Sequence, residues 1–185
     1  TIISLIPLSD KLLEFISNSA YLPPMVCEPL ELRNNYSSGY LTHSDSLILG
    51  SGNHHDGDIC IDVLNTINKV ALRLDTQFLS TVEEDPTKEF TMEWAHKKAS
   101  EKGKSINDAT AKIRVAKAIE NWHRFKVQGY NFYALMAKQG NEFHLTHKVD
   151  KRGRIYASGY HITSQGTAFK KASIELSNEE LVTGM

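Results

Sequence analysis

The chain has 185 residues and a formal net charge of −1, with 41% hydrophobic and 23% charged residues. That is enough apolar material for the core of one domain, or of one domain and part of another, and it excludes a disordered chain. No run of roughly 18 apolar residues exists, so no transmembrane helix is expected. The opening "TIISLIPLSDKLLEF" also lacks the basic n-region of a signal peptide.

The near-zero charge conceals a split. Residues 1–95 hold 5 Lys and Arg against 14 Asp and Glu, whereas residues 96–185 hold 16 against 8. A basic half of this kind suits a polyanionic partner, although solvated charged faces alone give the same count. Cys27 and Cys60 form no CxxC pair, a usage that fits a reducing, cytoplasmic setting.

In chain order, Ser9 is placed to cap a short helix over "DKLLEFISNSA", with Leu12, Leu13, Phe15 and Ile16 as its apolar stripe. The prolines and the Ser38–Gly39 pair of "YLPPMVCEPLELRNNYSSGYLT" predict an extended, turning segment. A strand or hairpin arm is expected at "YLTHSDSLILG" and a loop at "SGNHHDGD". From Asp58 to Val82, apolar residues recur at Ile59, Val63, Ile67, Val70, Leu74, Phe78 and Val82, which predicts one long amphipathic helix. Pro86 starts a second helix, "TKEFTMEWAHKKASEK", and Gly103 stops it. A third, "SINDATAKIRVAKAIENWHRFKV", opens on a Ser105–Asp108 capping box, and a fourth, "YNFYALMAKQG", closes at Gly140. Long helices joined by short turns predict a projecting antiparallel hairpin. "EFHLTHKVD" and "RIYASGYHI" predict two strands joined through the Asp150–Gly153 turn, and "GTAFKKASIELSNEELVTGM" returns to helix. The expected fold class is α+β and mostly α, in stretches 1–57 (proline-rich), 58–126 (helical) and 127–185 (the strand hairpin and the last helix).

Several groups of residues carry candidate chemistry. His54, His55, Asp56 and Asp58 are metal-ligand types within one loop, but adjacent histidines point apart and no second cluster lies at helical spacing beyond them, so a solvated loop is the reading preferred over a metal-dependent hydrolase. Cys27 has no helix N-terminus or cation to activate it and Glu28 beside it, so a packed thiol is expected rather than a nucleophile. Lys112, Arg114, Lys117, Arg124 and Lys126 coincide with Trp122 and Phe125, a mixture suited to tracking a phosphate backbone and stacking on bases.

The densest positive cluster is "DKRGRIYASGYHITSQGTAFKK". Arg152 and Arg154 flank Gly153, so a turn there aims two guanidiniums at consecutive phosphates with no side chain between them. Asp150 is expected to be the internal partner that fixes the arginine fork, rather than an acid catalyst. Tyr156 shares a strand face with Arg154 and brings its ring beside the same ligand. Lys170 and Lys171 are expected near the start of a helix, where free N–H groups favour an anion.

"DKRGRIY" resembles the DxxGR motif of the single-subunit phage and mitochondrial DNA-dependent RNA polymerases. "PPMVCEPLELRNNYSSGYLT" is similar to that family's proline-rich PM-x-C-x-P…GGYL segment upstream of the thumb. "VLNTINKVALRLDTQFLSTV" resembles the long helix leading into the thumb, with Leu72 and Asp75 where the family usually has Trp and Asn. "SQGTAFKKASIEL" is similar to the PQG-x-x-x-x-K segment that enters the palm. Order and rough spacing agree over most of Tyr21–Leu176.

The resemblance implies that Asp150, Arg152, Gly153 and Arg154 contact the template strand and the RNA–DNA hybrid beside the active centre. Tyr156 and Lys171 match a tyrosine and a lysine of the same surface, and Arg124 and Lys126 fall near the basic cluster that comes after the thumb. Residues of about 86–120 would be that thumb, and 127–185 the DxxGR hairpin and the start of the palm. The family's catalytic aspartates, its Lys…Tyr-Gly fingers helix and its HDS turn have no counterpart, and "HHD" at 54–56 precedes DxxGR whereas the HDS turn lies after it. No catalytic residue is therefore expected here, and Mg2+ is expected on a partner chain carrying palm and fingers. The acidic "SNEELVTGM" is read as a natural surface end, which points to the smaller subunit of a split, heterodimeric phage RNA polymerase. Such a chain would be inactive alone, would contact template DNA and nascent RNA, and would work in the cytoplasm of an infected bacterium. The rival reading is a stand-alone nucleic-acid-binding regulatory module without polymerase activity.

Overall fold

The computed structural model describes residues 9–11, 22–82 and 88–179. Most of the helix expected over "DKLLEFISNSA", together with Pro86 and the last residues of the acidic tail, lies outside them. The chain is mixed α and β: α1 (Ile61–Asn68), β1 (Leu72–Leu74), α2 (Thr76–Thr81), α3 (Met92–Ser100), α4 (Asp108–Lys138), β2 (His147–Val149), β3 (Ile155–Ala157), α5 (Ala168–Ala172) and β4 (Ile174–Leu176). It divides into two compact units, one drawn from Thr1–Leu79 and Asn131–Met185, the other from Ser80–Tyr130.

The long helix expected from Asp58 to Val82 does not form. It is interrupted at β1, which pairs antiparallel with β4 in the register Leu72↔Leu176, Arg73↔Glu175 and Leu74↔Ile174. On its other side Leu72 bridges Phe143. Asn141 completes that edge with its side-chain amide, accepting from Leu74 N at 3.1 Å and donating to Leu74 O at 3.0 Å. Leu74 is buried in β1, a position that the helical spacing also assigned to an apolar face, so periodicity alone does not separate the two, and pairing with a distant strand decides it. The final helix is shortened for the same reason. It ends at Ala172, and Ile174–Leu176 becomes the partner of β1. Arg73 fastens the pair by donating to Glu175 and Glu179, each at 2.7 Å.

Elsewhere the expected third and fourth helices are a single helix, α4, of 31 residues. Gly129 lies buried within it; its cost of about 1 kcal/mol relative to Ala is small beside the length of helix on either side. Its first turn is capped by Asn107, whose Oδ1 accepts from Thr110 N at 2.9 Å, rather than by the expected Ser105. Gly140 at φ 95° and Asn141 at φ 55° turn the chain out of the helix. In the second unit α3 is capped by Thr91, whose Oγ1 accepts from Trp94 N at 3.1 Å, and Ala95, Ala99 and Ala111 are buried.

In the first unit β2 is the central element. It pairs with β3 on one edge, and on the other Val149 N donates to Leu47 O at 2.8 Å while Leu49 N donates to Val149 O at 2.7 Å. The inward face of this ladder is the core: Leu32, Leu47, Ile48, Leu64 and Val149, with Ile59, Cys60, Ile61 and Ile155 packed against it. α1 packs on β2, where His147 Nδ1 and Asn68 Oδ1 lie 2.9 Å apart. The proline-rich stretch is extended and irregular, as its composition predicts, and it touches the rest through a Met25↔His144 bridge.

A second side-chain amide acts as Asn141 does. Asn65 of α1 accepts from Leu32 N at 2.8 Å and donates to Leu32 O at 3.0 Å, which satisfies both backbone groups of a buried core residue. Asn65→Ala removes both bonds and is expected to cost about 2 kcal/mol. Urea unfolding should show the midpoint falling at unchanged slope.

Candidate nucleic-acid interface

The site is built on the β2–β3 hairpin. The register pairs His147 with Ala157, Lys148 with Tyr156 and Val149 with Ile155. Val149 and Ile155 belong to the core, so strand alternation sends Lys148, Asp150, Arg154 and Tyr156 to the opposite face. The turn closes through Gly153 N donating to Asp150 O and Asp150 N donating to Arg154 O, both at 2.9 Å. Gly153 has φ 79°, and an added Cβ would meet nothing within 4 Å. Its requirement is therefore conformational, and the turn stands open to solvent.

Asp150 organises the cluster. Its Oδ1 accepts from Arg152 N at 2.9 Å and Arg154 N at 3.0 Å, and its Oδ2 accepts from Arg154 Nε at 2.6 Å. Arg154 Nη2 is also 2.6 Å from Oδ2, and Arg152 Nε stands 3.7 Å away. Removal of the carboxylate from water raises its pKa, but the hydrogen bonds from the Arg154 side chain and from the Arg154 and Arg152 amides outweigh that and hold it at about 2. The Asp150 side chain is 15% exposed, while Arg152 and Arg154 are 66% and 56% exposed. The Arg154 guanidinium lies 5.7 Å from the Tyr156 ring centroid, and Tyr156 OH donates to Asp150 Oδ2 at 3.5 Å. A guanidinium has five N–H donors, so the pair with Asp150 leaves Nη1 for an anion. The arrangement is a fork fixed by an internal carboxylate, presented beside an aromatic ring.

The other expected site residues lie elsewhere. Lys170 and Lys171 are the third and fourth residues of the five-residue α5, near its start as expected, and Thr167 Oγ1 caps the helix by accepting from the Lys170 amide at 3.4 Å. The Lys170 ammonium sits 3.6 Å from the Tyr160 ring centroid, and burial lowers its pKa. Beside it, burial and then the Lys170 charge push the His161 imidazole down to about 4, with the ring stacked 4.8 Å from Phe132. Lys171 is exposed. Arg124 and Lys126 belong to the second unit. There Arg124 donates to Glu120 at 2.8 Å, and Lys126 lies 5.4 Å from the Tyr130 ring centroid. Trp122 and Phe125 are 6.1 Å apart on the same helix.

The histidine loop does not converge. His54 engages Ser46 Oγ at 2.9 Å and Asp56 at 3.4 Å, whereas the His55 ring accepts from Gly57 N at 3.1 Å. Among the described residues no three His, Cys, Asp or Glu side chains are grouped to hold a metal ion. Cys27 and Cys60 are both half-buried free thiols.

Reading the sequence missed Lys148 and Asp45, which form an ion pair at 2.7 Å. The signal for Lys148 was the alternation 146, 148, 150 along β2. Asp45 carried none, because 103 residues separate the partners. No protein-family model matches the chain, and no curated protein matches it.

The Asp150 pair sets a pH window. A carboxylate whose folded pKa lies near 2, below its unfolded value of about 3.9, contributes stability above the unfolded value and loses it as pH falls toward 2. Arg154→Ala is expected to move the Asp150 titration upward and narrow that window. Carboxyl-carbon NMR across acid pH reads the shift directly.

Proposed function

We propose that this chain is the thumb-bearing smaller subunit of a split DNA-dependent RNA polymerase of the single-subunit phage and mitochondrial type. The observation that carries the reading is the Asp150–Arg154 turn, where a low-pKa carboxylate holds an exposed arginine fork against Tyr156. The motif likeness in "DKRGRIY", with those of the proline-rich segment before it and of "SQGTAFKKASIEL" after it, supports the same assignment, whereas the long helix implied by "VLNTINKVALRLDTQFLSTV" is broken by β1.

In this reading a partner chain carries palm, fingers and the aspartates that bind magnesium. No catalytic step is assigned to this chain's residues. Its share is electrostatic. Arg152 and Arg154 bind successive phosphates of template or hybrid, Tyr156 lies against a sugar or base, and Asp150 holds the fork rigid, so little side-chain entropy is lost on binding. Helix α3 and the first part of α4, within residues of about 86–120, correspond to the thumb, which keeps the nucleic acid from dissociating. The setting is the cytoplasm of an infected bacterial cell.

The test is binding and synthesis, with the chain alone and with the polypeptide that co-purifies from its native source. Arg154→Ala is expected to weaken RNA–DNA hybrid binding roughly tenfold and to lower the slope of log affinity against log salt by about one. Nucleotide incorporation is expected only with the partner present, and to fall with the same substitution. Unchanged run-off transcription by the reconstituted variant would count against the assignment. A preference for one duplex sequence over a hybrid with a single-stranded template extension would favour a regulatory module instead.

A further inference from the structure

The hairpin face that carries the fork continues away from the turn. Strand alternation places Lys148 and then Thr146 behind Asp150, and Tyr156 and then Ser158 behind Arg154. Lys148 lies opposite Tyr156, and Ser158 N donates to Thr146 O at 2.7 Å, so the two rows stay side by side. At this inner end the face opens into a cleft of about 420 Å³, walled by Thr146, Lys148, Ser158, Tyr40, Leu22 and Leu49.

The walls differ in chemistry. Leu22 and Leu49 are exposed apolar side chains at the rim. Tyr40 is anchored by donating its hydroxyl to Pro23 O at 3.1 Å, and burial raises its pKa, so a neutral aromatic ring lines the cleft. Lys148 is 18% exposed and tied to Asp45 at 2.7 Å. An ammonium has three donors, so the tie orients the charge without exhausting it. The volume lies in the range of sites that enclose drug-sized ligands in largely apolar walls with a few placed polar groups. From Arg154 to Ser158 is four residues, about 14 Å at the rise of a strand. A nucleic-acid strand held at Arg154 therefore reaches the cleft within a few nucleotides.

We propose that this cleft receives one unstacked nucleoside of the single strand gripped by the arginine fork. Its base lies between Tyr40 and the two leucines, and a flanking phosphate lies on Lys148. The inference rests on the nucleic-acid reading of the hairpin and adds to it a place where one nucleotide is drawn out of the stack. The ligand chemistry is a nucleoside within a single strand, which a DNA template and an RNA transcript both supply.

Eight-nucleotide single strands, in a DNA series and an RNA series, each with one abasic position moved along the strand, test this on the full chain. Wild type is expected to lose roughly tenfold in affinity when one particular position is abasic, the size of a single base–aromatic contact, and little at the others. The series that shows the loss identifies the source. Leu22→Trp and Leu49→Trp fill the mouth from exposed positions, so each is expected to keep its unfolding midpoint while erasing the positional difference. Arg154→Ala is expected to weaken every strand alike and leave the positional difference in place. A flat abasic profile in wild type, or a positional loss that persists in both tryptophan variants, overturns the cleft proposal while leaving the fork intact. Failure of wild type to bind any strand overturns the nucleic-acid reading and the cleft with it.

Discussion

One carboxylate holds the hairpin turn in its working shape. Asp150 accepts from two arginine amides and from the Arg154 guanidinium, so a single side chain sets both the backbone of the turn and the direction of its charge. Asp150 also lies at the end of β2. β2 is paired on both edges and buried on its inner face, and α1 packs against it through the contact between His147 and Asn68. A fork mounted on such a strand inherits its rigidity. On the proposed reading of the hairpin as a polyanion site that rigidity matters, because a flexible pair of arginines would lose side-chain entropy with every contact.

The charge balance of the cluster has its origin in the same geometry. Asp150 neutralises part of one guanidinium and leaves Arg152 exposed, with Lys151 on the turn beside it. The face is therefore positive, with its direction set by an internal acid, and solvent reaches the arginines but scarcely the carboxylate. Lys148 is treated likewise: Asp45 holds its ammonium at the wall of the cleft. In both places a carboxylate positions a cation, which is exposed at Arg154 and largely buried at Lys148. The half-buried Lys170 differs, since burial lowers its pKa and its ammonium lies against the Tyr160 ring, beside a His161 held neutral.

Short-range patterns were legible where the physics is short-range. The glycine turn, the two strands around it and the shared face of Arg154 and Tyr156 all come from period-two alternation and from the turn preference of Asp-x-x-Gly. The role of Asp150 as internal partner was legible for the same reason, since donor and acceptor are four residues apart. The start of α5 near Lys170 and Lys171 is a local matter of the Thr167 cap, whereas its early end depends on where β4 begins, and β4 exists only by pairing with β1.

By itself, the sequence determined the charge division between its halves, the irregular proline-rich stretch, the helical run that became α4 and the hairpin with its arginine fork. Each rests on interactions among residues a few positions apart. Tertiary structure alone decided that Leu72–Leu74 is strand rather than helix, that Asn65 and Asn141 serve as backbone partners, and that Asp45 meets Lys148. Those choices join residues from tens of positions to more than a hundred apart. No local propensity encodes them, because the favourable pairing energy appears only after the intervening chain has folded and closed the loop.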